Sequence, residues 1–201
     1  QNISIDISDL KNNFAGVLVD QGKFADAERI LREILEDQLR DFGDDDPETV
    51  LTKHNLALVL RQQGNLLGAA KLNEDVLAQH ISFFGPNHPD TLTSKQNLAA
   101  VLSDCGNFSR ARDLCLEVLN GRREILGEDH PDTVASRFDL AVFLLEQGNY
   151  SQAEQVCREV LAQQSHTFGA EHMVVQRSRC CLASAMLEQG QHAGVVELFS
   201  E

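Results

Sequence analysis

At 201 residues, with 42% hydrophobic and 24% charged side chains, the chain can bury a sizeable core. Its 31 acidic residues against 17 basic give a net charge of −14, which opposes a phosphate backbone or an anionic membrane surface and argues against nucleic acid and membrane as partners. The five cysteines, Cys105, Cys115, Cys157, Cys180 and Cys181, include no C-x-x-C pair. With no disulfide framework, no apolar run near 18 residues and no signal-peptide pattern, the expectation is a reduced, soluble, cytoplasmic protein.

The first unit, residues 1–43, is interrupted by Gly22 and closes at Gly43. The second, 44–85, opens on Asp46-Pro47-Glu48-Thr49, where Pro sits at a first helical position beside an acid that the helix dipole favours. Val50, Leu56, Ala57 and Leu60 then recur at helical intervals before Gly64, and Ala69, Leu72, Val76 and Leu77 do so before Gly85. The third unit, 86–127, starts at His88-Pro89-Asp90-Thr91 and is divided by Gly106. The fourth, 128–169, starts at His130-Pro131-Asp132-Thr133 and is divided by Gly148. The fifth, 170–201, keeps Gly190 but has Met173, Val174 and Val175 where the others have Pro-Asp-Thr, so its packing or role is expected to differ.

Both glycine series step by 42 residues without insertion or deletion, so each unit holds two helices, each stopped where glycine accepts the left-handed conformation that closes a helix. Five residues after the mid-unit glycine stand Ala27, Ala69, Ala111 and Ala153, small enough for two helices to approach closely. Phe24, Leu66, Phe108 and Tyr150 are large enough to wedge between hairpins. The reading is an all-α, right-handed α-solenoid, a superhelix of about five helical hairpins forming one domain over 1–201. Its start at Gln1 and end at Glu201 suggest a fragment of a longer protein with uncapped ends able to self-associate.

The layout resembles the tetratricopeptide repeat (TPR), in the 42-residue form of kinesin light chains and of the TPR arms of fungal and bacterial NB-ARC (STAND) signalling ATPases. Asn55-Leu56-Ala57 with Gln63-Gly64-Asn65 and Ala69 carries the resemblance, followed by Phe84-Gly85-Pro86-Asn87-His88-Pro89-Asp90-Thr91-Leu92, and then by Asn97-Leu98-Ala99 with Gly106 and Ala111. The resemblance implies a non-enzymatic scaffold that binds a protein or peptide in a concave groove, as the sensor arm of a larger signalling protein. The alternatives are a cargo adaptor of the kinesin-light-chain kind and a structural self-stacking element.

By the same resemblance, the groove is lined by Asn13, Asn55 and Asn97, by His54, Gln96 and Arg61 near them, and by Phe138 and Asp139 at the equivalent places of the fourth unit. An Asn ladder can hold a peptide backbone through a donor and an acceptor on each side chain, or each Asn can instead bond the neighbouring hairpin. The groove would be neutral and polar at one end, apolar and acidic at the other, which suits a partner with apolar and basic residues. The inner positions hold too few cations for a clamp on a C-terminal carboxylate. His88 and His130 recur beside the helix-starting Pro and read as capping residues; Cys115 and Cys157 read as core residues. The run Asp44-Asp45-Asp46 lacks the spacing of a calcium loop and reads as solvated helix-start charge. No nucleophile, phosphate loop, cofactor site or metal site is expected.

Overall fold

The computed structural model describes residues 2–199, and side chains from Leu10 onward. Gln1 and Glu201, on which the reading of the chain ends relied, lie outside the described residues. Ten α-helices and no strand occur among them. The chain divides into two compact units, the first running to Cys105 and the second from Gly106. The first holds α1 (Asn2–Asp20), α2 (Phe24–Asp41), α3 (Pro47–Gln62), α4 (Leu66–Phe84) and α5 (Pro89–Asp104); the second holds α6 (Phe108–Leu126), α7 (Pro131–Glu146), α8 (Tyr150–Phe168), α9 (Met173–Glu188) and α10 (His192–Leu198).

Local chemistry explains the boundaries. Asp46, His88, His130 and His172 precede α3, α5, α7 and α9, and each side chain accepts the backbone N–H two residues on, at 2.9 Å for Asp46 and 3.2–3.3 Å for the histidines. The histidines expected as caps are caps, and His172 starts α9 although that unit lacks the proline. At the other ends, all nine glycines of the two periodic series have φ between 72° and 91°, a region costly for any residue with a Cβ.

Packing follows the small and large positions. Ala27, Ala69, Ala111 and Ala153 are completely buried, and Phe24, Leu66, Phe108 and Tyr150 are half-buried. In the first unit, Phe24 packs on a core that includes Ala15, Leu18, Leu31, Leu56 and Leu60. In the second, Leu119, Leu140, Leu144, Ala153 and Ala185 form one cluster, and Ala141, Cys157, Cys181, Leu182 and Met186 another. Consecutive helices pack on each other within each unit, which is the arrangement of an all-α solenoid of the tetratricopeptide class.

Candidate functional site

The seams between hairpins are built from polar contacts that repeat with the sequence. Thr52, Ser94, Ser136 and Ser178 are 42 residues apart and buried on α3, α5, α7 and α9. Three of them bond a side chain fourteen residues earlier, on the preceding helix: His80 Nδ1 to Ser94 Oγ at 2.8 Å, Arg122 to Ser136 Oγ at 2.7 Å, and Ser178 Oγ donating to Gln164 Oε1 at 2.6 Å. Ser94 and Ser136 are also within hydrogen-bond reach of the carbonyls of Asp90 and Asp132, four residues back on their own helices.

A second series, Lys53 and Lys95, both buried, and Arg137 and Arg179, both half-buried, places one cation next in sequence to each of those hydroxyls. Lys53 Nζ lies 2.7 Å from Asp44 and 3.2 Å from Gln79 Oε1. Arg137 pairs with Glu128 in the corresponding way and donates to Gln163 Oε1 at 3.2 Å. The Asp44–Asp46 run starts a helix as expected, but Asp44 does more than carry solvated charge. Asp46 caps α3, Asp44 neutralises a buried lysine, and the Gln79 amide donates to Asp44 and Asp45. Neither series was read from the sequence, although the 42-residue period that exposed the glycines also displays both.

The residues expected to line a groove fall into two groups. In the first unit, Asn13 is exposed on α1, and His54, Asn55, Arg61, Gln96 and Asn97 are half-buried on α3 and α5. Asn97 Nδ2 lies 3.5 Å from His54 Nδ1, and Arg61 Nε donates to Asp104 at 2.5 Å. These contacts place α3 and α5 side by side on the face that carries them. Burial, with the charge of nearby His80 second, lowers the His54 pKa below 6.5, so its imidazole is held neutral. Arg61 is spent on Asp104 rather than offered freely to a ligand.

Beside His54, a cleft of about 340 Å³ opens between α3, α4 and α5. Leu51, Phe83 and Phe84, each roughly half exposed, give it an apolar wall; His80, Asp90 and Thr93 supply polar groups. Phe84 is fixed by stacking on His88 with ring centroids 4.5 Å apart. The cleft is of the size that accepts one large side chain or a small ligand. Sequence reading missed it, because its walls come from the end of one helix and the starts of two others.

In the second unit, Phe138 and Asp139 are half-buried on α7. The Arg177 guanidinium lies 5.3 Å from the centre of the Phe138 ring, a cation–π arrangement that places a cation at the end of the groove expected to be apolar and acidic. Burial, and secondarily the Asp139 charge, pushes the Cys115 thiol up to about 12. Cys115 is thus an inert core thiol. Among the described residues no group of three or more His, Cys, Asp and Glu side chains is placed to hold a metal ion, and no helix is long and apolar enough to cross a membrane.

The chain's likeness to known proteins agrees with this architecture. Tetratricopeptide repeat models match residues 6–79, 91–132 and 133–172. A Podosopora anserina protein of nearly identical TPR-like repeats, assigned as a kinesin light chain, superposes with a TM-score of 0.84 at 25% identity, covering 94% of this chain and 90% of that one. BtubC (BKLC) from P. vanneervenii superposes at 0.79 with 19% identity over 92% of this chain and 74% of its own. A Rap protein in complex with competence and sporulation factor gives 0.72 at 13% identity, over 94% of this chain and 51% of its own, a likeness of fold alone. No curated protein sequence matches the chain. The matched repeats, the capped hairpins and the all-α packing make this chain a member of the tetratricopeptide repeat family, of the kinesin-light-chain-like type, with the architecture of a protein-interaction scaffold.

Proposed function

We propose that the chain binds an extended peptide segment of a partner protein across α3 and α5, with one apolar side chain of the peptide seated in the cleft beside His54. The cleft carries the reading: an apolar wall of Leu51, Phe83 and Phe84 stands next to the half-buried amides of Asn55 and Asn97, which can engage a peptide backbone. Asp90 at the rim is 60% exposed and favours a basic residue flanking the apolar one. That preference agrees with the chain's net charge of −14. Asn13, Gln96, Phe138 and Asp139 belong to the same proposal as further contacts, and Arg61 as a residue positioned by Asp104.

As an interaction module, the chain would serve as the sensor arm of a larger signalling protein. The likeness to the P. anserina protein favours a second reading, a cargo adaptor, which uses the same face and differs in the partner. Display selection against the protein, repeated with Asn55→Ala/Asn97→Ala and with Leu51→Asp, tests the site. Apolar-basic peptides should be selected by the parent and lost from both variants while their circular dichroism is unchanged. Selected peptides that bind both folded variants as well as the parent would move the site elsewhere. Failure to select any peptide, with self-association that rises with concentration, would favour the stacking role.

A further inference from the structure

The two buried thiols Cys157 and Cys181 lie on different helices, α8 and α9, with their sulfurs 2.9 Å apart. Both sit in one apolar cluster with Ala141, Leu182 and Met186; Cys157 is fully buried and Cys181 is 8% exposed. Two sulfurs held this close are already paired as donor and acceptor and stand only about 0.9 Å beyond a disulfide bond length. Both cysteines are free in the structure, and the other three have no such neighbour: Cys115 is buried beside Asp139, while Cys105 and Cys180 are exposed.

The contact has a place in the repeat. Cys181 occupies the position held by Asn55, Asn97 and Asp139 in earlier units, and Cys157 the position held by Asn73 and Cys115. Cys115 and Asp139, 24 residues apart, are near enough to interact electrostatically, and Cys157 and Cys181 are the same pair of positions one unit later. The architecture thus brings these two positions together, and only in the last pair do both carry sulfur.

The geometry points to Cys157 and Cys181 as a site of reversible oxidative modification, a disulfide that forms in the presence of a peroxide and ties α9 to α8. The reaction has two steps. The Cys181 sulfur attacks the peroxide O–O bond, giving a sulfenic acid and one water; the Cys157 sulfur then attacks the sulfenic sulfur, forming the S–S bond and releasing a second water. Two thiols lose two electrons and two protons in all, and hydrogen peroxide is reduced to two waters. The order follows from the hydrogen bond: Cys157 donates to Cys181, which lowers the Cys181 pKa and raises that of Cys157, and burial raises Cys157 further. Cys181 is also the partner with residual exposure. A dithiol reductant reverses the bond by exchange.

The test uses the full chain carrying Cys180→Ser, which leaves both core thiols native and removes the adjacent cysteine. After treatment with hydrogen peroxide, free thiols are alkylated under denaturing conditions and the protein is digested with trypsin without reduction. The expected product joins the peptide of residues 138–158 to that of residues 180–201, lighter by two hydrogens than the separate peptides and split by reductant. The oxidised protein should melt about 5–10 °C higher than the reduced form, because the bond closes a 24-residue loop of the unfolded chain. Quantitative alkylation of Cys157 and Cys181 after peroxide, over-oxidation of either without a cross-link, or a cross-link of Cys157 to Cys105 or Cys115 would each overturn the proposal. A second variant, Cys181→Ser, must lose the cross-link while keeping its helical circular dichroism; persistence of a cross-linked Cys157 in it would also refute the assignment.

Discussion

Replacing Ser178 by alanine tests whether the hydroxyl ladder, rather than apolar contact alone, holds successive hairpins in register. Ser178 is fully buried and donates to the Oε1 of Gln164, itself 4% exposed, at 2.6 Å. Ser178→Ala deletes that donor and strands the Gln164 carbonyl oxygen away from water, which costs about 1–3 kcal/mol. Gln164→Leu leaves a hydroxyl that can turn to the carbonyl four residues back, as Ser94 and Ser136 already do. Its cost should therefore be the smaller, about 1 kcal/mol. With both changes no polar group is stranded, and the double variant should lie near Gln164→Leu alone. The coupling energy would then equal the whole cost of Ser178→Ala, about 1–3 kcal/mol. Urea unfolding followed by circular dichroism on the four proteins of the cycle reads these values. If the two single losses simply add, or if Ser178→Ala costs less than about 0.5 kcal/mol, the ladder is incidental to stability.

Acid should destabilise the first unit through His54. Its folded pKa is depressed, so neutral His54 favours the folded state above the unfolded value of about 6.5, and that contribution is lost as pH falls from there towards and through the folded pKa. The slope can reach at most about 1.4 kcal/mol per pH unit, less whatever solvent access removes. His54→Gln should flatten the melting-temperature profile below pH 6.5; an unchanged slope in the variant would assign acid sensitivity to other groups. Ala69→Leu inserts three carbons at a completely buried position where α4 meets α3. It should lower stability by about 1–3 kcal/mol in a urea titration, and a neutral result would show that this seam is less tightly packed than its burial indicates.

The sequence made the hairpins legible because each boundary carries its own chemistry. A left-handed glycine stops a helix, and Pro-acid or a capping His starts one, whatever surrounds it. Small positions such as Ala69 were equally readable, since the period places them against a partner helix. What escaped reading depends on which neighbour a polar residue meets. Lys53 and Lys95 look like ordinary surface lysines, yet both are 5% exposed, and Lys53 is accommodated because Asp44 and Gln79 meet it. Thr52 and Ser94 resemble exposed helix residues until the preceding helix covers them. Phe138 was expected to face a ligand, and its partner Arg177 lies 39 residues on, beyond the reach of helix periodicity. The cleft beside His54 needs three helices to exist, so no single segment announces it.

The fixed spacing of the seams bears on how the protein acquires its structure. The hydroxyl ladder spans fourteen residues, the Lys53 to Gln79 bond 26, and the link from Gln79 back to Asp44 35. Contacts of such short range require little loop closure, so the transition state for forming one hairpin against the next is reached without ordering the distant chain. As the polypeptide leaves the ribosome, α3 and α4 can settle on α2 while later repeats are still being synthesised. Within a unit, each hairpin completed in this way offers the next helix a finished surface to pack on.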